Sequence, residues 1–235
     1  MPDWKEISSS ILTDFFKQTR KYVGSVLASG ESYMDGLNKY CQEAWAIPKD
    51  FKGNSSNMGF VPELLIFEAL KQKLEEKYQI ILKPKVRKQT AEKTETCYFV
   101  DKADNPCRLL VQGLRIAKGE DLSGALPPTS YAHDITYLIK GITWKVKSVV
   151  EVKGFFDVTS LTADLNKLMH AETNYQKTED YVFAFVGFST NEPLSESVRK
   201  ALIRFVGRKN SFLILSGPKN PEIRNSTLNE FFDKL

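Results

Sequence analysis

The sequence predicts an α/β protein: a mixed β-sheet flanked by helices on both sides, preceded by an N-terminal helical region. Three observations carry this. Tyr181 to Phe188 is an unbroken apolar run, the pattern of a strand buried on both faces. From Thr96 to Phe156, strand-like segments follow one another with turn residues between them. After Phe156, segments of helical period alternate with segments of strand character, so the chain ends helix, strand, helix, strand, helix. At 235 residues the chain is long enough for one large domain with a periphery. The division expected is an N-terminal helical region, 1–50, and a second domain, 51–235.

In the first region Ile7, Ile11 and Phe15 fall four apart, and Tyr22 and Val26 continue the spacing. Ser29 and Gly30 interrupt it before Tyr33, Leu37, Tyr40 and Ala44 resume. Nothing here suggests chemistry; a peripheral or dimerisation role fits. Residues 49–59, rich in Gly, Asn and Ser, read as a loop. The segment 60–74 predicts a helix with Pro62 in its first turn. At about 100° per residue, Phe60, Leu64, Phe67, Leu70, Leu74 and Tyr78 form one apolar face. Glu63 falls within that face and Glu68 toward its margin. A carboxylate there invites a functional explanation, though an anion near a helix N-terminus is also favoured by the helix dipole.

Gln79 to Leu82 reads as a short strand. The basic stretch Lys83, Lys85, Arg87, Lys88 and Lys93, with Pro84, reads as a solvated loop or a phosphate-contacting one. Thr96–Val100 and Arg108–Ile116 predict a hairpin, and 117–129 a loop. Ser130 to Ile139 predicts a strand on which Asp134 shares a face with Ala132, Thr136 and Leu138. Gly141 marks a turn, and Ser148 to Phe156 predicts the next strand. There Glu151 and Lys153, two apart, share a face. Then come a helix over 160–175 with stripe Leu161, Leu165, Leu168 and Met169, the strand 181–188, and a helix over 195–206 through Val198, Leu202 and Phe205. A strand over 211–215 and a terminal helix over 228–235 complete the chain.

Composition narrows the function classes. A net charge of +4 permits a polyanionic partner without demanding one. Three cysteines without paired spacing, and only His133 and His170 besides, argue against a structural zinc site. Residues 1–16 lack the basic and apolar regions of a signal peptide, and no apolar run approaches spanning length. A cytoplasmic protein with no membrane association is the expectation. No phosphate-cradling Gly-rich loop or Gly-x-Ser-x-Gly elbow is visible.

What stands out is acid where a core prefers apolar groups: Glu63, Asp134 and Glu151, with Lys153 beside the last. Taken alone, Glu151 and Lys153 are either an active-site pair or a solvated ion pair on an edge strand. Two carboxylates on consecutive strands suit a hard divalent cation, which takes few protein ligands and keeps water and phosphate oxygens. Such an ion neutralises charge on a scissile phosphate, and a nearby ammonium holds the attacking water.

At this point the chain resembles the PD-(D/E)xK nuclease superfamily, in Asp134 on one strand followed by Glu151-Val152-Lys153 on the next. The order of elements over residues 60–216 agrees: a leading helix bearing an acid, a β-meander, a helix and a further strand. His133 stands where that motif has its name-giving Pro. The resemblance implies a restriction endonuclease-like core and a Mg²⁺ cofactor, with Mn²⁺ able to substitute. It implies that Asp134, Glu151 and the Val152 carbonyl ligate the metal, that Lys153 positions the nucleophilic water, and that Glu63, with Glu68 as fallback, is the helix-borne acid. Lys167 and His170, on the following helix, could approach phosphate, but each reads first as a solvated surface residue. The function implied is a type II restriction endonuclease acting on double-stranded DNA as a homodimer, with Lys83, Lys85, Arg87 and Lys88 as DNA-contact candidates. The alternatives are a structure-specific repair nuclease and a non-catalytic DNA-binding protein on the same fold.

Overall fold

The computed structural model describes residues 21, 24–25, 34–37, 55–89, 92–100, 106–111, 133–142, 144–153, 162–168, 181–187, 195–216 and 223–235. They form an α/β structure around one seven-stranded mixed sheet. Its elements are α1 (Ser55–Tyr78), β1 (Lys83–Gln89), β2 (Glu92–Val100), β3 (Pro106–Val111), β4 (Ile135–Lys140) and β5 (Trp144–Lys153). These are followed by α2 (residues 162–168), β6 (Val182–Gly187), α3 (Glu196–Val206), β7 (Ser211–Leu215) and α4 (Leu228–Phe232).

Strand order follows chain order from β1 to β7. The first five strands are an antiparallel meander; β5, β6 and β7 run parallel, with α2 and α3 in the connections. Strand β5 is therefore the seam between the two halves. The all-apolar β6 is buried throughout, as its sequence predicts.

The alternation of the central strands divides the core. On one face, α1 and α4 pack against Leu109, Tyr137, Val150, Val152, Ala184, Val186 and Ile214. On the other, α2 and α3 pack against Leu138, Val146, Val149, Phe183, Phe185 and Leu213. A β-bulge decides which side the acid of β5 takes. Tyr137 pairs with Ser148 but Leu138 pairs with Val146, so Lys147 is the extra residue. The odd step lets both Val146 and Val149 face α2 and α3. Glu151 and Lys153 have the parity of Val149, so the shared face expected for them is the α2 face.

Ser195 caps α3 and Thr227 with Glu230 forms a capping box on α4, each satisfying amide groups at a helix start. Val198, Leu202 and Phe205 are the buried stripe of α3, and Leu165 and Leu168 that of α2. Among the described residues no helix is long and apolar enough to cross a membrane.

Several expectations need correction. Helix α1 begins at Ser55, so Pro62 lies inside it and not in its first turn. Residues 79–82 are not a strand. Gln79 takes a left-handed φ of 55°, and the Ile80 amide returns to the Glu75 carbonyl at 3.1 Å, a helix-terminating geometry. The Glu75 carboxylate then holds the Leu82 amide at 2.7 Å. The basic stretch Lys83, Lys85, Arg87 and Lys88 is not a loop but edge strand β1, in antiparallel register with β2. An edge strand tolerates both a proline and a row of lysines, which is why loop chemistry misleads there. Strand β4 starts at Ile135, leaving His133 and Asp134 just before it.

Of the N-terminal region expected over 4–46, the described residues 21, 24–25 and 34–37 are helical. Met34 and Leu37 are buried in the same cluster as α1, so this segment contributes to the core. The remainder, like the loop 117–129 and His170, lies outside the described residues.

Candidate active site

Strand β5 brings the acid into the interior. Glu151 is fully buried, flanked along the strand by Val150 and Val152. Fully burying an apolar side chain stabilises by about 1.5–3 kcal/mol, whereas burying a carboxylate costs several kcal/mol unless it is compensated. Packing therefore does not explain a glutamate at this position; its partners must.

Five residues make up its surroundings. His133 Nδ1 lies 2.6 Å from Glu151 Oε1, with both side chains buried. Lys167 Nζ, on α2, lies 3.6 Å from Glu151 Oε2. The same ammonium lies 3.1 Å from Asp164 Oδ1. Lys153 Nζ completes the circuit 2.7 Å from Asp164 Oδ2, an ion contact whose angle is not that of a hydrogen bond. Asp134 precedes β4 at the position that, by extension of the register, faces Glu151. Its Oδ2 accepts the Val152 amide at 2.7 Å.

Three sequence-predicted residues, Asp134, Glu151 and Lys153, thus come together. Val152 joins them through its backbone. In an extended strand the N–H and C=O of one residue point to the same neighbour. The Val152 carbonyl therefore faces the β4 side, beyond the residue where that strand begins.

Glu63 is half-buried on α1, which packs on the opposite face of the sheet. No contact described for the cluster involves it. Glu68 is the more buried of the two acids, which corrects their expected placement on the helix. It pairs with the buried Lys71 at 3.4 Å and accepts from Gln72 at 3.2 Å, an intrahelical arrangement. The reason is that α1 is buried nearly all round over residues 65–71, so a single-face wheel does not order its side chains.

Three members of the cluster escape sequence reading: His133, which the motif comparison left without a role although it contacts Glu151, and two residues of α2. Asp164 is buried at 4% exposure, and Lys167 is not a solvated surface residue but bridges two carboxylates. The signal was present: Asp164 lies three after Leu161 and four before Leu168, on the apolar stripe of its helix. Lys83, Lys85, Arg87 and Lys88 are elsewhere. Strand β1 is four strands from β5, roughly 19 Å at the usual spacing.

Burial sets the protonation of the cluster. Desolvation, then the charge of Glu151, pushes Asp134 well above the usual carboxylate range, against the pull of the Val152 amide and Lys167. Desolvation raises Glu151 to about 8, with Lys167 opposing and Asp164 reinforcing the shift. Desolvation, helped by Lys167, lowers His133 to about 4, so the imidazole is neutral at pH 7. For Lys167 desolvation acts downward, but Glu151 and Asp164 outweigh it and the net shift is upward. Near neutral pH the two facing acids are thus reluctant to ionise together.

Among the described residues no three His, Cys, Asp or Glu side chains converge as a metal cage. Mg²⁺ does not require one, since one or two carboxylates with water and phosphate oxygens suffice. Glu151 Oε2 is buried without a hydrogen-bond donor, and Oε1 is held by His133. A buried carboxylate oxygen that has an ammonium at 3.6 Å but no hydrogen bond, with a second acid facing it, is a donor set a divalent cation fits.

A scan against models of known protein families gives no match, and a search of curated proteins gives none either. The reading of function rests on this geometry.

Proposed function

We propose that this protein is a Mg²⁺-dependent DNA endonuclease with a restriction endonuclease-like core, acting in the cytoplasm. One observation carries the reading: Asp134 and Glu151 face each other where β4 begins and β5 ends, with Lys153 next along the same face. The order α1, meander, α2, β6 supports it. Asp134, Glu151 and the Val152 carbonyl would hold the ion, and Glu63 is the proposed helix-borne acid. When bound, the metal polarises the phosphate and lowers the pKa of its water; Mn²⁺ meets the same oxygen ligands.

The protein's own groups do the rest. His133 fixes one oxygen of Glu151 and so orients the other. The Val152 amide fixes Asp134 in the same way. Lys153, about a third exposed, presents its ammonium at the solvent side of the cluster and orients the attacking water. Asp164 holds that ammonium in place. Cutting both strands of duplex DNA symmetrically needs two such sites, hence a homodimer on a palindromic sequence.

A second reading has its own support. The acids, histidine and lysines of the cluster contact one another, as they would in a non-catalytic DNA-binding protein with a structural ion network. Incubation with plasmid, genomic and branched DNA in Mg²⁺, Mn²⁺ or EDTA separates the readings. Discrete metal-dependent fragments are the expected result. Cutting confined to junctions or flaps means a repair nuclease, and no cutting with either metal overturns the enzyme reading. Lys153→Ala should abolish cleavage while preserving the fold; full activity in that variant removes Lys153 from the mechanism.

A further inference from the structure

The Asp164 carboxylate has two lysines on it, one on each oxygen. Lys153 Nζ lies 2.7 Å from Oδ2 and Lys167 Nζ 3.1 Å from Oδ1. The two ammonium groups come from different elements, β5 and α2, yet they are spaced to grip the two oxygens of one anionic group. The non-bridging oxygens of a phosphate are separated by nearly the same distance as those of a carboxylate. The carboxylate is buried at 5% side-chain exposure, whereas the lysines are 29% and 32% exposed. An anion arriving from solvent therefore meets the ammonium pair before it meets any acid beneath.

Lys153 is enough to orient one water, so Lys167 is the cation of the cluster that the proposed reaction has not used. Lys167 also reaches Glu151 Oε2 at 3.6 Å, which puts it beside the candidate metal ligand. A cation placed there neutralises charge on a phosphate held against the metal-binding acids.

We propose that Lys153 and Lys167 form a paired-ammonium seat for a single phosphate group, with Asp164 as the buried carboxylate that sets their spacing. The inference builds on the nuclease reading, in which the seated group is a backbone phosphodiester of DNA. Lys167 is then a substrate-binding residue, and Asp164 a positioning residue.

The test measures anion binding by the full-length protein in EDTA, where no cleavage occurs. Inorganic phosphate is titrated by calorimetry, and duplex DNA is titrated separately. Lys167→Ala should weaken phosphate binding about ten-fold, the size of one lost charge-assisted hydrogen bond. Lys167→Arg should restore most of it, and the exposed Lys200→Ala should change nothing. Phosphate affinity unchanged in a folded Lys167→Ala protein overturns the seat. Equal weakening by Lys200→Ala also overturns it, since general surface charge would then be responsible. Weakening of the DNA arm together with the phosphate arm identifies the backbone as the source; weakening of phosphate alone assigns the seat to a free phosphate ligand. Should the wild-type protein cut no DNA with metal yet lose phosphate binding on Lys167→Ala, the nuclease reading fails and the seat stands.

Discussion

The carboxylate of Asp134 accepts the amide of Val152 at 2.7 Å, so the acid that precedes β4 is fastened to the residue between Glu151 and Lys153. The contact takes the place of a ladder bond ahead of the start of β4. It fixes the separation of the two facing carboxyl groups through the backbone, leaving little to side-chain freedom. A site that must hold a small, geometrically demanding cation benefits from that rigidity.

The protonation of Glu151 gives a stability signature without metal. Its folded pKa, about 8, lies above its ordinary value of 4.5. Stability from the protonated form is therefore full below pH 4.5 and lost as pH rises through 8. His133 acts oppositely, its folded value near 4 removing stability as pH falls below 6.5. Between pH 6.5 and 8.5 the acids govern alone. The unfolding free energy in EDTA should fall across that window, by on the order of a few kcal/mol at most. Glu151→Gln should flatten the fall, and Mg²⁺ should reduce it by stabilising the ionised acid. An unchanged slope in Glu151→Gln would show that Glu151 does not carry the burden.

The two acids of α1 should separate into a stability residue and an activity residue. Glu68→Ala leaves Lys71, at 4% exposure, without its carboxylate partner. A cost of about 3–5 kcal/mol follows from breaking a buried pair on one side only. Glu63→Gln at a half-buried position should leave the melting temperature within a few degrees and lower cleavage. Denaturant unfolding and a cleavage assay on both variants check this. Full activity in Glu63→Gln removes it from the site.

Strand β1 makes a prediction about salt. The register puts Lys83, Lys85 and Arg87 at alternate positions on one face of the β1–β2 ribbon, and sets Lys88 directly opposite Lys93. Replacing Lys83, Lys85 and Arg87 together by Ala should weaken binding to all DNA sequences alike. It should also lower the salt slope of log K by roughly two to three, near one per lost phosphate contact. Filter binding across a salt series measures both, and an unchanged slope places the DNA elsewhere.

How much of this was legible in the sequence depends on what each residue touches. The apolar run of β6 and the stripe of α3 need no tertiary knowledge, and both match. So does the sharing of a face by Glu151 and Lys153. Which face it is depends on the extra residue Lys147 in β5, and a pairing offset leaves no trace in a single strand's pattern. The burial of Glu68 arises because neighbours close around α1 on several sides. The roles of Asp164 and Lys167 depend on α2 lying over the end of β5, a docking that composition does not encode.

All six residues of the cluster, His133, Asp134, Glu151, Lys153, Asp164 and Lys167, fall between positions 133 and 167. A hairpin and the helix that follows it hold the whole constellation, although the sheet extends three strands before that hairpin and two after it. Contacts this close along the chain carry a small loop-closure penalty. The chemistry is consequently a portable cassette: its members can find one another early in folding, and changes to the flanking strands can alter what the protein grips without dismantling it.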